Sequence, residues 1–181
     1  GERGPVLARH VVAADGMWSP MRRFLGGDLA SYRGDWHAFR QYFSGVGEQA
    51  QGTLHVLFEA DLLPGYAWSF PFADGSANVG FGVLRGGQVS LGQLRTRWNE
   101  LLARPRLAAI LGPSAQPEDP VRAWPIPARL GAVPLRLGRV LFVGDAAAAT
   151  DPLTGEGIGQ ALLTGRLAAE AQCSVPTIRY Y

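Results

Sequence analysis

The stretch from Gly138 to Ala171 joins an acidic residue to a series of glycines. An apolar strand ends near Asp145, and because ligands bind at strand ends in α/β folds, this carboxylate can accept hydrogen bonds from a polyol hydroxyl. Gly155, Gly157 and Gly159 then remove side chains from the first turn of a helix, whose positive N-terminus favours a flat ring that becomes anionic on reduction. The alternative is a bend without a ligand, although each glycine costs about 1 kcal/mol relative to alanine.

Aromatic residues mark a second stretch. Tyr66, Trp68 and Phe70 alternate with other residues, which predicts a strand with the three rings on one face. Gly80 and Gly82 fall on the next predicted strand and leave a patch of bare backbone. Rings beside bare backbone would form a smooth apolar slot for a ligand. The periodicity alone favours the alternative, an ordinary sheet core.

A third stretch, near the start of the chain, contains Asp15, Ser19, Pro20 and the pair Arg22-Arg23. Asp-Gly is a turn dipeptide, and Ser19 followed by Pro20 predicts a short capped helix. By itself this pattern indicates a turn and a helix with no further role. Its position before the Asp145 stretch, with a sheet-like region between them, favours a functional motif.

Together the three stretches resemble the geranylgeranyl reductase branch of the para-hydroxybenzoate hydroxylase-like flavoproteins. The resemblance rests on Ala-Asp-Gly with Ser and Arg-Arg behind it, on Tyr-x-Trp-x-Phe-Pro followed by Gly-x-Gly, and on Gly-Asp followed by GEGIGxAL and GRLAAEA. It implies FAD as the cofactor, with Asp145 on the flavin ribitol and Asp15 supporting the pyrophosphate region. One departure is Ala148, where the family usually has glycine.

The resemblance also implies two sets of site residues. The cofactor set is Asp15, Gly144, Asp145, Ala146, Pro152, Gly155, Glu156, Gly157 and Ile158. A second set would line a cavity for an isoprenoid chain that ends at the flavin. This substrate set is Tyr66, Trp68, Phe70, Gly80 and Gly82. Neither a catalytic residue nor a metal ligand follows from the resemblance.

The function that the resemblance implies is the reduction of isoprenoid C=C bonds by reduced FAD. The substrate would be a geranylgeranyl lipid, a geranylgeranylated pigment precursor or a menaquinone side chain. The resemblance leaves the electron donor, NAD(P)H or ferredoxin, unidentified. A flavin-dependent monooxygenase or halogenase is the first alternative, although halogenases carry Trp-x-Trp-x-Ile-Pro where this chain has Tyr-x-Trp-x-Phe-Pro. An inactive fragment that binds no ligand is the second.

The elements that position these residues predict an α/β fold with α+β character overall. Strand-like patterns near both ends flank a region of alternating apolar residues, which indicates a partial FAD-binding Rossmann-like domain with an inserted antiparallel-sheet substrate domain. The predicted segments are 1–30 for part of the FAD-binding domain, 31–127 for the substrate-binding sheet domain, and 128–181 for the return segment with the C-terminal helix. Asp151 and Pro152 are expected to open that helix.

The glycine pattern bears on how much of the domain is present. No Gly-x-Gly-x-x-Gly joins a strand to a helix within a βαβ unit of this chain. That fingerprint normally seats the FAD pyrophosphate on a helix N-terminus. We therefore expect an N-terminally truncated piece, in which the outer strands, within residues 1–15 and 135–145, have no partner to pair with.

Composition excludes several other classes of protein. The 181 residues carry a net charge of +2 and all their cations are arginines, which excludes lysine Schiff-base chemistry and does not indicate a nucleic-acid-binding stripe. The one cysteine excludes an internal disulfide. No apolar run reaches the roughly 18 residues of a membrane span. We expect a cytoplasmic protein without nucleic-acid partners, at most in peripheral contact with a membrane.

Overall fold

The structure, a computed structural model, describes residues 4–27, 32–87 and 91–171. These residues divide into two compact units, the first drawn from 1–34 and 126–181 and the second from 35–125. Helices mixed with strands, with an antiparallel sheet in the second unit, confirm the predicted fold class. Among the described residues, no helix combines the length and the apolar character needed to cross a membrane.

Short elements make up both units. The strands are β1 (Val11–Ala13), β2 (Trp36–Ser44), β3 (His55–Leu57), β4 (Tyr66–Pro71), β5 (Ala77–Leu84), β6 (Gln116–Pro117), β7 (Arg122–Ile126), β8 (Arg136–Leu137) and β9 (Val140–Phe142). The α-helices are α1 (Pro20–Phe24), α2 (Glu48–Gly52), α3 (Leu94–Leu102), α4 (Pro105–Leu111) and α5 (Ile158–Glu170). In the described part of the chain, a 3-10 turn at Leu91–Gln93 precedes α3, and another at Gly144–Ala147 follows β9.

In the first unit, β9 lies between β1 and β8. It runs parallel to β1, with Val11 opposite Val140 and Ala13 opposite Phe142, and antiparallel to β8. The expectation that the two outer strands would lack partners is therefore wrong, because they pair with each other. Ala13 and Phe142 are buried in a small core that also contains Ala146, Ala147 and Ala149.

The two predicted helix starts of the first unit differ in outcome. Ser19 caps α1 as predicted, since its Oγ accepts a hydrogen bond from the Arg22 amide at 3.1 Å. The prediction that Asp151 and Pro152 open the last helix is wrong, because α5 begins only at Ile158. Asp151 Oδ1 instead accepts hydrogen bonds from the amides of Leu153 and Thr154, at 3.0 and 2.7 Å, and closes a separate turn.

The second unit is built on a sheet in the order β3-β4-β5-β2-β6, with β7 also paired to β2. The consecutive strands of this order are antiparallel. The predicted hairpin at Asp74-Gly75 joins β4 to β5, where Gly75 has a φ of +84° and Asp74 Oδ1 accepts hydrogen bonds from the Ser76 amide and hydroxyl. This hairpin sets the register between the two strands that carry the substrate set.

One face of this sheet forms a closed apolar core. Val79, Phe81 and Val83 of β5 are buried on it, and the Phe81 ring stacks on Trp98 of α3 with the ring centroids 6.2 Å apart. Because side chains alternate along a strand, the residues between these three lie on the opposite face. Gly80 and Gly82 therefore belong to the face that the helices do not cover.

Candidate functional site

Asp145 lies in the 3-10 turn after β9. The residue is half-buried, and within the described part of the chain its carboxylate accepts one hydrogen bond, from the Thr150 hydroxyl at 3.3 Å. Burial raises the pKa of the Asp145 carboxyl, and the hydrogen bond from Thr150 opposes that rise. An ionised carboxylate accepts up to about four hydrogen bonds, so this one has acceptor capacity for the hydroxyls of a ligand.

Two glycines bring bare backbone close to this carboxylate. Gly144 has a φ of +56°, and a Cβ placed on it would lie 3.2 Å from the Cβ of Ala161 on α5. A Cβ on Gly157 would lie 3.3 Å from Thr150 Oγ1 and 3.6 Å from Asp145 Oδ1. The structure thus brings Gly144, Asp145 and Gly157 of the predicted cofactor set together.

The residues between Asp145 and α5 form a second turn. Pro152 is exposed in it, and Gly155, with a φ of +71°, donates its amide hydrogen to the carbonyl of Asp151 at 2.9 Å. The left-handed conformation of Gly155 suits glycine and reverses the chain toward the start of α5.

The Glu156 carboxylate accepts hydrogen bonds from the backbone amides that were expected to face a flat ring. Its Oε1 accepts hydrogen bonds from the amides of Ile158 at 2.6 Å and Gly159 at 3.0 Å. Glu156 and Ile158 are both exposed. The first amides of α5 are therefore capped by the chain's own carboxylate in this conformation, and a flavin edge would have to replace it.

The stretch that contains Asp15 contacts the turn that contains Asp145. Arg22 is buried, and its Nη2 donates a hydrogen bond to the carbonyl of Ala146. Its guanidinium also lies over the Phe142 ring, 4.4 Å from the centroid. Burial lowers the pKa of Arg22, and the charge of Asp15 opposes that change. Asp15 itself is exposed and accepts the Met21 amide hydrogen at 2.9 Å, so its contact in this structure is with α1.

The aromatic residues of the substrate set form a row. Tyr66, Trp68 and Phe70 lie on one face of β4, with centroid distances of 6.0 Å between the first two rings and 5.8 Å between the last two. Phe58, which the sequence analysis missed, extends the row, 5.9 Å from Tyr66. The three rings on β4 are half-buried, on the face opposite the closed core.

The two glycines opposite this row differ from each other. A Cβ on Gly80 would overlap the indole of Trp68 and the carbonyl of Phe39, so the indole already fills this position. Next to Gly82, the nearest atom to such a Cβ is Trp68 Cζ3, at 4.0 Å. The expectation of a bare patch at both glycines therefore holds for Gly82 and is wrong for Gly80.

Residues 1–163 match the family model described as FAD binding domain. Since this match covers most of the chain and agrees with the arrangement around Asp145, the chain belongs to the FAD binding domain family. The expectation of FAD as the cofactor is confirmed at the level of this family.

Two relatives have names that confirm the resemblance. Digeranylgeranylglycerophospholipid reductase 1 of Methanopyrus kandleri is 34% identical over 94% of this chain and 45% of its own length. Menaquinone reductase of Mycobacterium tuberculosis is 32% identical over 91% of this chain and 41% of its own length. The chain therefore spans less than half the length of these relatives.

Solved structures agree with this assignment. A geranylgeranyl bacteriochlorophyll reductase-like protein from Thermoplasma acidophilum aligns with a TM-score of 0.68 at 27% identity, over 90% of this chain and 40% of that chain. A flavin-dependent halogenase aligns with a TM-score of 0.56 at 24% identity, over 90% of this chain and 29% of that chain. The halogenase comparison shows a shared fold alone.

The residues present fit part of an FAD molecule. Asp145 offers a half-buried acceptor with spare capacity, which suits the hydroxyls of the ribitol. Gly157 leaves no side chain between this carboxylate and the start of α5. Thr150, which the sequence analysis missed, is buried and orients the carboxylate, and only its distance of five residues from Asp145 could have suggested that role.

Proposed function

We propose that this chain is the part of a flavin-dependent reductase that holds the ribitol side of FAD and binds an isoprenoid chain whose C=C bonds are saturated. The observation that carries the proposal is the half-buried row of aromatic rings on β4, on the sheet face that leaves Gly82 open. The named relatives act on geranylgeranyl lipid and menaquinone, and both of these carry isoprenoid chains.

The chain's own residues would have distinct roles in this reaction. When bound and reduced, FAD would supply a hydride for saturating the double bond, and the second hydrogen would come as a proton from water or a side chain. Asp145 would accept hydrogen bonds from the cofactor's hydroxyls, with Thr150 holding the carboxylate in place. Arg22 would fix the turn through the carbonyl of Ala146. Gly157 would leave room for the cofactor beside the carboxylate.

The aromatic row suits a substrate without polar groups along its length. An isoprenoid chain offers almost only apolar surface, so its recognition must come from burial, at about 25 cal/mol per Å². Tyr66, Trp68 and Phe70 present half-buried rings for this purpose. The substrate class would be a geranylgeranyl lipid, a geranylgeranylated pigment precursor or a menaquinone side chain.

A flavin-dependent monooxygenase or halogenase is the second candidate function. Halogenases share the fold of this chain at 24% and 18% identity, which does not by itself indicate their function. The sequence of β4, with Tyr66 and Phe70 where halogenases have Trp and Ile, favours the reductase. The reductase names also occur among relatives of higher identity.

Two further parts of the proposal concern partners. The electron donor, NAD(P)H or ferredoxin, is left open by the resemblance. A lipid substrate would be drawn from a bilayer, so we include peripheral contact with a membrane. Sedimentation of the protein with liposomes tests this contact, and a protein that stays in the supernatant at low salt would remove it from the proposal.

The substitution Gly82→Leu tests the slot in the full-length protein that carries this chain. A leucine side chain would project from β5 into the open space beside Trp68. We expect turnover of a geranylgeranyl lipid to be lost while the flavin spectrum stays normal. The matched control is Gly82→Ala, whose Cβ meets no atom closer than 4.0 Å and which should retain turnover. Full activity of Gly82→Leu would contradict the assignment of the slot.

A further inference from the structure

We propose that Asn78 is a positioning residue that holds the indole of Trp68 flat along β5 and thereby keeps the indole N–H from facing the slot. The inference rests on the proposed function, because it assigns Asn78 a role in the substrate site. Asn78 belongs to neither of the two predicted sets of site residues. It acts through Trp68 and not through the substrate.

Three observations fix the indole. Trp68 Nε1 donates a hydrogen bond to Asn78 Oδ1 at 3.1 Å. The middle of the ring lies across Gly80, where any Cβ would overlap it. The far edge, at Cζ3, lies 4.0 Å from the Cβ position of Gly82. The indole therefore runs along β5 from Asn78 past Gly80 toward Gly82.

The strand register explains why these residues meet. Trp68 is directly opposite Gly80 in the β4–β5 pair, and Asn78 is opposite Phe70. Residue 78 is therefore a diagonal neighbour of Trp68 on the same face, within reach of a long side chain. Gly80 lets the ring lie down across the neighbouring strand, and Asn78 accepts the hydrogen at its end. Phe70 stacks on the indole, with 22° between the ring planes.

The hydrogen bond has a consequence for specificity. Indole has a single N–H donor and no acceptor, so the bond to Asn78 uses the ring's whole hydrogen-bonding capacity. The indole then presents an isoprenoid chain with no unpaired N–H to desolvate. Without Asn78, the N–H would need water or a polar ligand atom, because an unpaired buried donor is costly. Asn78 would thus favour hydrocarbon chains over hydroxylated ones.

The test compares Asn78→Leu with the wild-type chain in two measurements. The first follows the Trp68 indole N–H by NMR on the isotope-labelled chain, with its signal identified by its absence in Trp68→Phe. The second measures the affinity for geranylgeraniol as an isoprenoid probe. We expect Asn78→Leu to shift the indole N–H signal and to speed the exchange of this hydrogen with solvent. We also expect the affinity for geranylgeraniol to fall by roughly two- to tenfold, the range of one net hydrogen bond.

A double-mutant cycle separates positioning from a general loss of structure. The Trp68→Phe variant has no indole N–H for Asn78 to bind. Adding Asn78→Leu to this variant should therefore not lower the affinity for geranylgeraniol any further. Asn78→Asp keeps an oxygen acceptor and should retain the indole signal and most of the affinity. An equal loss of affinity in the Trp68→Phe background would overturn the inference, as would an unchanged indole signal in Asn78→Leu.

The failure of the proposed function has a different signature. The wild-type chain and Trp68→Ala would then bind geranylgeraniol equally weakly, while Asn78→Leu would still shift the indole signal. In that case the assignment of the substrate site is wrong, and the hydrogen bond between Asn78 and Trp68 only stabilises the sheet. If the probe binds and the indole signal does not respond to Asn78→Leu, the slot stands and the role of Asn78 falls.

Discussion

Arg22 donates a hydrogen bond from its buried guanidinium to the carbonyl of Ala146, and this bond joins residues 124 positions apart in the chain. It connects the helix after the Ala-Asp-Gly stretch with the turn that holds Asp145. Two motifs that the sequence shows separately are therefore one structural feature of the first unit.

We predict that Arg22→Met lowers the free energy of unfolding by about 1–2 kcal/mol, because the buried carbonyl of Ala146 loses its partner. The matched control is Arg23→Met, an exposed neighbour on the same helix, which should stay within about 0.5 kcal/mol of wild type. Chemical denaturation measures both. Equal stability of the two variants would show that the Arg22 bond does not hold the turn.

Asp145→Asn should separate stability from cofactor binding. Because burial raises the folded-state pKa of Asp145, its ionised form destabilises the fold at neutral pH, and that cost disappears as the pH falls through the folded pKa. We therefore expect the FAD-free variant to melt no lower than wild type at pH 7, with the difference shrinking toward about pH 4. FAD should bind about 1 kcal/mol more weakly, since a neutral acceptor is weaker than a charged one.

Thermal melts at several pH values and an FAD titration check this prediction. A control at Asp151, the exposed acceptor in the following turn, should behave in the opposite way. Hydrogen bonds to the Thr154 amide and hydroxyl lower the pKa of Asp151, so its charge stabilises the turn and Asp151→Asn should destabilise it at neutral pH. If Asp145→Asn destabilises the fold and leaves FAD affinity unchanged, Asp145 is not a cofactor ligand.

Replacing Ala148 by glycine should stabilise the folded protein. Ala148 is buried and has a left-handed conformation, with a φ of +52°. The flavoprotein family that the sequence resembles usually has glycine at this position. A left-handed alanine costs roughly 1–2 kcal/mol, which glycine avoids at some cost in chain entropy. Ala148→Gly should therefore raise the free energy of unfolding by about 0.5–1 kcal/mol, whereas Ala147→Gly, in the 3-10 turn, should lower it. The opposite order in chemical denaturation would contradict the conformation of this turn.

The two glycines of β5 should respond differently to the same change. Gly80→Ala forces a methyl group into the Trp68 indole and the Phe39 carbonyl, so we expect a loss of about 1–3 kcal/mol from overpacking. Gly82→Ala places its methyl group in open space and should change stability by less than about 0.5 kcal/mol. Thermal melts of the pair measure the difference, and equal melting temperatures would show that the indole does not cover Gly80.

Local features were predictable from the sequence where short-range chemistry decides them. The cap at Ser19 and the hairpin at Asp74-Gly75 each depend on neighbouring residues, and the shared face of Tyr66, Trp68 and Phe70 follows from the two-residue period of a strand. FAD binding was predicted from the sequence motifs. Motifs indicate a binding site more directly than the periodicity of apolar residues does.

Features that depend on competition or on distant partners were not predictable. The sequence around Asp151 is typical of a helix N-cap. Its carboxylate instead accepts hydrogen bonds from two amides of a separate turn, and α5 begins after that turn, at Ile158. Gly80 looked bare because a sequence does not show which ring of the neighbouring strand lies across it. The pairing of β1 with β9 joins segments that are distant in the chain, and no local pattern indicates it.

The most direct test of the central claim is a reduction assay analysed by mass spectrometry. The full-length protein that carries this chain would be supplied with FAD, dithionite and a geranylgeranyl lipid under anaerobic conditions. We predict a lipid product that gains two hydrogens for each saturated double bond, and a higher KM in Trp68→Ala with FAD still bound. A lipid that stays unchanged while the flavin is bound and reduced would contradict the proposed reductase.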